Sequence, residues 1–119
     1  MRIIFLLAGL LTLLNAHAGE IDQPAAISAL QRSDSLLIDV RSAEEFADGS
    51  LPGAIRIGHE EIAAQIASVA PDQDRPVVLY CRSGRRSALA QQTLEEMGYS
   101  HVINAGAYED LLPLLENRE

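Results

Sequence analysis

A cluster of reactive and cationic residues lies at 80–87, where the sequence reads YCRSGRRS. It contains Cys81, the only cysteine of the chain, and three of the nine basic residues, Arg82, Arg85 and Arg86, in a protein of formal charge −8. A cysteine thiolate is a strong nucleophile, and nearby cations favour this charged form. The cluster therefore predicts a nucleophilic cysteine in an anion-binding loop. The structural alternative is a buried cysteine beside solvated arginines.

The segments on either side of this cluster alternate between helix and strand patterns. Strands are predicted at 35–40, 54–57, 76–80 and 101–104, and helices at 24–31, 42–47, 59–70, 87–97 and 107–117. Ser42 and Glu45 form a capping-box pattern at the start of one of these helices. Continuous apolar strands separated by helices predict an α/β domain. It would have a parallel sheet of about five short strands and helices on both faces.

The cluster lies between a strand ending at Tyr80 and a helix beginning near Ser87, so it is a six-residue loop at the carboxyl edge of the sheet. Ligands bind at this edge in open α/β folds, and the free N–H groups of a helix start bind anions. Gly84 allows the tight turn that brings such N–H groups together. Cations at a helix start oppose the helix dipole at about 0.3–1 kcal/mol each, so an anion bound in the loop accounts for their position. We predict that Cys81 is a nucleophile whose sulfur is reachable and whose pKa is lowered.

Other cysteine chemistries fit the sequence less well. A cysteine protease needs a histidine base, and neither His59 nor His101 has an evident orienting partner. A second cysteine for a disulfide oxidoreductase and ligands at zinc-site spacing are both missing, and no metal or other cofactor is predicted. A phosphatase or arsenate reductase on a related fold needs arginine six positions after the cysteine, where Ser87 stands.

The first 18 residues have the pattern of a secretory signal peptide. Arg2 precedes an apolar run at 3–14, which is shorter than the roughly 20 residues of a membrane-spanning helix. Ala16 and Ala18 are the small residues expected before a cleavage site after Ala18. We expect residues 19–119 to form one exported, periplasmic domain with no stable membrane association. Its acidic charge, −9 once Arg2 is removed, argues against nucleic acid as a partner.

Four blocks occur in order after residue 19: LLIDVRSAEEF (36–46), GSLPGAIRI (49–57), VVLYCRSGRRSALAQQTLEEMGY (77–99) and HVINAGAYED (101–110). In this order and spacing they resemble the motifs of the rhodanese family, in particular its single-domain exported members of the phage-shock type. The resemblance implies a rhodanese-like three-layer domain and a thiosulfate sulfurtransferase.

The resemblance also implies a role for each residue of the loop. Cys81 is expected to attack the outer sulfur of an anionic donor such as thiosulfate, to hold that sulfur as a persulfide, and to pass it to cyanide or a thiol. The backbone N–H groups expected to bind the substrate and the persulfide are those of Arg82, Ser83, Gly84, Arg85 and Arg86. The side chains of Arg82 and Arg85 are expected to orient the donor.

Asp39 and Arg41 match the Asp-Val-Arg signature of the family and are expected to be structural, with Glu44 and Glu45 as candidate partners of Arg41. Gly106-Ala107 departs from a Gly-Gly pair of the family, and an alanine there would strain a turn of positive φ. Ser50 replaces a frequent histidine, and a frequent tryptophan is absent. A persulfide carrier or a non-catalytic rhodanese-like interaction module stays open as the alternative function.

Overall fold

The structure is a computed structural model that describes residues 19–116, so the expected signal peptide lies outside the described residues. The elements are α1 (Gln23–Leu30), β1 (Leu36–Asp39), α2 (Ala43–Asp48), β2 (Ile55–Arg56), α3 (Ile62–Val69), β3 (Val77–Cys81), α4 (Arg85–Glu96), β4 (Val102–Ala107) and α5 (Tyr108–Glu116). Each element predicted from the sequence is present, with ends that differ by at most three residues. None of these helices is long and apolar enough to span a bilayer.

The four strands form one parallel sheet in the order β2-β1-β3-β4. The α/β class is confirmed, although the described residues contain four strands rather than about five. A single parallel bridge between Ile21 and Asn104 extends the sheet beyond β4. Strand β3 lies in the middle, and all five of its residues have no exposed surface. The cysteine at its end is therefore held by the most constrained part of the fold.

Alternate residues of β3 contribute to two separate hydrophobic clusters, one on each face of the sheet. Val77, Leu79 and Cys81 pack with residues of α3 and α4, whereas Val78 and Tyr80 pack with residues of α1 and α5. Burial of each large apolar side chain stabilises the fold by roughly 1.5–3 kcal/mol. Because side chains alternate along a strand, Cys81 points to the side covered by α4.

A buried ion pair fixes the chain where β1 ends. Arg41 donates from Nε to both Asp39 oxygens at 3.0 Å and from Nη2 to Oδ2 at 2.7 Å. Arg41 Nη2 also donates to the carbonyl of Gly49, just after α2, at 2.7 Å. The guanidinium carbon lies 4.5 Å from the ring centroid of Tyr108, at the start of α5. The pair thus ties β1 to the end of α2 and to the start of α5.

The acidic partner of Arg41 among the described residues is Asp39, so the candidates Glu44 and Glu45 were wrong for this role. The exposed fractions of the Asp39 and Arg41 side chains are 0% and 6%. A pair this deeply buried is costly to break, because the remaining charge is left without a counterion.

We predict that Asp39→Asn lowers the free energy of unfolding by about 3–5 kcal/mol, because it leaves the charge of Arg41 buried and uncompensated. Denaturant titration of the purified variant measures this loss. Asp34→Asn is the matched control, since it breaks an ion pair with Arg32 in which both side chains are more than half exposed. Equally small losses in the two variants would contradict the importance given to the buried pair.

Candidate active site

Three residues, Arg82–Gly84, connect β3 with α4. The sequence predicted six, but β3 extends to Cys81 and α4 begins at Arg85. Gly84 precedes the helix with φ of 96°, in the left-handed region that favours glycine. A Cβ at this position would lie 2.6 Å from Ile21 Cδ1 and 3.3 Å from Gly106 Cα. Both the backbone angle and the packing therefore require glycine here.

The sulfur of Cys81 lies at the start of α4 and accepts hydrogen bonds from it. The N–H of Gly84 donates to Sγ with an N···S distance of 2.9 Å, and Ser87 Oγ lies 3.5 Å from the same sulfur. Burial raises the pKa of the thiol. Hydrogen bonds from the Ser87 side chain and from the N–H groups of Ser87, Ser83 and Gly84 outweigh this effect, so the pKa lies below its ordinary value. The geometry therefore favours a thiolate, as the sequence predicted.

The three arginines next to the cysteine have different surroundings. Arg82 and Arg85 are exposed, and within residues 19–116 their side chains form no hydrogen bond or ion pair. Arg86 forms a bidentate ion pair with Glu45 of α2, with N···O distances of 2.9 and 3.0 Å. Two guanidinium groups are therefore available to an anion, whereas that of Arg86 already has a partner.

Glu45 joins the start of α2 to the start of α4. The predicted capping box is confirmed, since Glu45 N–H donates to Ser42 Oγ and the N–H of Ser42 donates to Glu45 Oε1. Hydrogen bonds from Arg86 and then from the Ser42 backbone lower the pKa of Glu45 to about 2. The carboxylate is therefore fixed from two sides, and with it the guanidinium of Arg86.

Cys81 has no exposed surface, so the expectation of a reachable sulfur is not met in this structure. Its neighbours Arg82 and Ser83 are exposed. A cavity of about 380 Å³ is lined by Arg41, Glu45, Asp48, Arg82, Tyr108 and Glu109, without Cys81 itself. A reactant in this cavity contacts the residue next to the cysteine, and the sulfur becomes available to it only when the loop or adjacent side chains move.

Two buried polar residues that sequence reasoning did not assign follow the sulfur in a hydrogen-bonded series: Ser87 lies next to the sulfur, and Asn104 is bonded to Ser87. Ser87 of α4 and Asn104 of β4 both have no exposed surface, and Ser87 Oγ lies 2.7 Å from Asn104 Oδ1. Asn104 Nδ2 donates to the carbonyl of Gly84 at 3.0 Å. The available signal was a polar asparagine inside the apolar strand sequence HVINAGA, since buried polar side chains need hydrogen-bond partners.

The departure at Gly106-Ala107 causes no strain. Gly106 has φ of 92°, whereas no residue other than glycine has a positive φ within the described part of the chain. Ala107 pairs with Cys81 in the sheet. The residue that needs conformational freedom is therefore the glycine that the sequence retains.

Neither histidine is bonded to the reactive sulfur. Within residues 19–116, Cys81 has no hydrogen bond to His59 or His101, and His101 is exposed beside Ser100. The same residues contain no group of three or more His, Cys, Asp or Glu side chains able to hold a metal ion. The donors around the sulfur are amide and hydroxyl groups.

We predict that Glu45→Gln lowers the melting temperature at neutral pH and flattens its dependence on pH in acid. The pKa of Glu45 is depressed in the folded state, so its contribution is complete above the unfolded value of about 4.3 and is lost as the pH falls toward about 2. Thermal unfolding across this range measures the effect. Glu44→Gln, an exposed neighbour without an ion pair in residues 19–116, is the control; identical curves for the two variants would contradict the assignment.

Known proteins are similar to this chain in both sequence and fold. Residues 23–111 match the family model of the rhodanese-like domain. The chain is 43% identical over 74 residues to the thiosulfate sulfurtransferase PspE of Escherichia coli (strain K12), which covers 62% of this chain and 71% of that protein. It is 32% identical over 110 residues to the thiosulfate:glutathione sulfurtransferase of Homo sapiens, which covers 82% of this chain and 96% of that protein.

Solved structures of rhodanese-type proteins are also similar to this chain. A rhodanese with anions from E. coli superposes with a TM-score of 0.62 and 42% identity, covering 64% of this chain and 89% of the other. A human single-domain sulfurtransferase superposes with a TM-score of 0.67 and 32% identity, covering 81% and 96%. The expectation from the four sequence motifs is thus confirmed, and the chain belongs to the rhodanese family.

Proposed function

We propose that this protein is a thiosulfate sulfurtransferase that carries the transferred sulfur as a persulfide on Cys81. The observation that carries the proposal is the hydrogen bond from Gly84 N–H to Cys81 Sγ, at 2.9 Å, at the start of a helix in a rhodanese domain. The N–H groups that stabilise a thiolate in this loop are equally suited to the negative charge of a persulfide. The names of the related sulfurtransferases support thiosulfate as donor and a thiol as acceptor.

In the first step the Cys81 thiolate attacks the outer sulfur of thiosulfate. A bond forms between Sγ and that sulfur, and the bond between the two sulfur atoms of thiosulfate breaks. Its electron pair leaves with sulfite, which carries two negative charges, and the enzyme keeps a singly charged persulfide. No external oxidant or reductant is needed, because the three negative charges and all atoms balance.

In the second step a nucleophile attacks the outer sulfur of the persulfide. Cyanide is converted to thiocyanate, or a thiolate is converted to a new persulfide. The bond between Sγ and the outer sulfur breaks, and its electron pair returns to Sγ. The thiolate regenerated at Cys81 again accepts the hydrogen bonds of Gly84 and Ser87. Covalent catalysis of this kind gives ping-pong kinetics.

Arg82 and Arg85 bind the sulfonate end of the donor. Both guanidinium groups are exposed and have no partner within residues 19–116, so they bind an anion without first breaking an ion pair. The chain has a formal charge of −8, but screening limits this repulsion to about 8–10 Å at physiological salt, so the nearby arginines dominate.

Loop movement admits the donor, because Cys81 has no exposed surface. The segment that has to move is short, since only Arg82–Gly84 separates the strand from the helix. Closure around the bound donor excludes water, which strengthens the hydrogen bonds to the charged sulfur.

We predict that incubation with thiosulfate adds about 32 Da, one sulfur atom, to the intact protein, and that cyanide removes it. Intact mass spectrometry measures the shift, and Cys81→Ser is the control that should show none. An unmodified wild-type protein, or a shift that survives Cys81→Ser, would overturn the proposed function. Slow release to cyanide together with rapid transfer to one protein partner would instead favour the persulfide carrier.

We predict that Arg85→Ala lowers kcat/KM for thiosulfate by about 10- to 100-fold, the effect of losing a hydrogen bond to a charged group. The melting temperature should change little, because the Arg85 side chain is exposed and forms no hydrogen bond or ion pair within residues 19–116. Arg32→Ala removes the same charge before β1, at the amino ends of the strands and so away from the loop. It should leave kcat/KM unchanged. An unchanged kcat/KM in Arg85→Ala with reduced stability would show that this arginine is structural.

We also propose that residues 1–18 are a signal peptide cleaved after Ala18 and that residues 19–119 act in the periplasm. Arg2, the apolar run at 3–14 and the small residues Ala16 and Ala18 support this. N-terminal sequencing of the protein purified from cells should begin at Gly19. A sequence beginning at Met1 would contradict export by this route.

A further inference from the structure

The side chain of Asn104 uses all of its hydrogen-bonding capacity around the reactive loop. Its Oδ1 accepts from Ser87 Oγ at 2.7 Å and from the N–H of Gly106 at 3.0 Å. Its Nδ2 donates to the carbonyls of Gly84 at 3.0 Å and Gly19 at 3.2 Å. An amide with two donors and two acceptor sites can do no more. Asn104 therefore holds one residue of the loop and one residue of α4.

The hydroxyl of Ser87 has two acceptors but only one proton. Asn104 Oδ1 lies 2.7 Å from Ser87 Oγ, and Cys81 Sγ lies 3.5 Å from it. A hydroxyl group donates one hydrogen bond at a time, so a bond to Asn104 excludes a bond to the sulfur. All three side chains are fully buried.

We propose that Asn104 is a positioning residue for sulfur transfer, because it competes with the Cys81 sulfur for the Ser87 hydroxyl proton while holding the Gly84 carbonyl in place. The proposal rests on the proposed role of Cys81 as the sulfur-carrying residue. Within residues 19–116 Asn104 forms no hydrogen bond with the sulfur, so it acts on the sulfur through Ser87.

The competition makes the hydrogen bond to the sulfur depend on where the negative charge is. A neutral thiol donates to Ser87 Oγ, and the Ser87 hydroxyl keeps donating its own hydrogen bond to Asn104 Oδ1. A thiolate cannot donate, and the hydroxyl turns toward it; Asn104 Oδ1 then keeps the bond from Gly106 N–H. In the persulfide the charge moves to the outer sulfur and the hydroxyl returns to Asn104. The Ser87 bond therefore assists Cys81 most when the thiolate is the leaving group of the second step.

The charged groups around the sulfur stay the same in the comparison that tests this proposal. They are Arg82 of the loop, Arg85 of α4, the Arg86–Glu45 pair that joins α4 to α2, and the Asp39–Arg41 pair at the end of β1. Asp22 lies on the segment beside β4. Alanine substitutions at 87 and 104 change none of these charges.

The test is the pH dependence of Cys81 alkylation by iodoacetamide in the full-length protein, in a double-mutant cycle of Ser87→Ala and Asn104→Ala. Ser87→Ala should raise the midpoint by about one pH unit, because the thiolate loses a donor. Asn104→Ala should lower it by about half a unit, because the hydroxyl then serves only the sulfur. The double variant should match Ser87→Ala.

Gln91→Ala is the matched control, since it also removes a buried amide that joins α4 to β4, through a bond to the Val102 carbonyl, and should leave the midpoint unchanged. A higher midpoint in Asn104→Ala, or the same shift with and without Ser87, would overturn the proposal. If Asn104→Ala does not fold, Asn104→Asp with and without Ser87→Ala decides: the added charge raises the midpoint in both backgrounds, and the rise must be larger when Ser87 is present, because the carboxylate also holds its hydroxyl. Sulfur uptake from thiosulfate by the wild type is measured separately. Failure of the proposed function can therefore be distinguished from failure of the role given to Asn104.

Discussion

The reactive site depends on a balance between two effects on the Cys81 sulfur. Burial disfavours its anionic form, and hydrogen bonds from the start of a helix favour that form. Cys81 has no exposed surface, and burial alone would raise the pKa of its thiol. The N–H of Gly84, 2.9 Å from the sulfur, and the hydroxyl of Ser87 reverse that effect. The Gly84 N–H is directed at the sulfur before the reaction, so only the Ser87 hydroxyl has to turn when negative charge forms on the sulfur.

The rest of the fold serves to hold these donors in place. Strand β3 is buried along its whole length and fixes Cys81, while the Arg86–Glu45 ion pair joins the start of α4 to α2. On the other side, an irregularity in the pairing of β3 with β4 separates the partners of Leu79 and Tyr80, which are Asn104 and Gly106. The side chain of Asn104 therefore lies on the face of the sheet that α4 covers, where it bonds to both Ser87 and Gly84.

Most of the fold and the centre of the site followed from local patterns in the sequence. The apolar run of β3, the Ser42–Glu45 capping box and the glycine after Cys81 each depend on residues close in the chain, and each is present in the structure. The contacts that were missed join distant residues: Arg86 to Glu45, 41 positions apart, and Ser87 to Asn104, 17 positions apart. Periodicity carries no information on such pairs. The burial of the sulfur was missed for the same reason, since it results from packing between elements.

In this rhodanese-family protein, the titration of Cys81 is the most direct test of whether the helix start stabilises the thiolate. The ultraviolet absorbance of the thiolate, followed against pH in the native protein, gives the pKa of the single cysteine without any added reagent. Stabilisation by the helix start predicts a midpoint below the ordinary thiol value of about 8.5 in the folded protein and a return to that value on unfolding. A midpoint at or above about 8.5 in the folded protein would contradict the account.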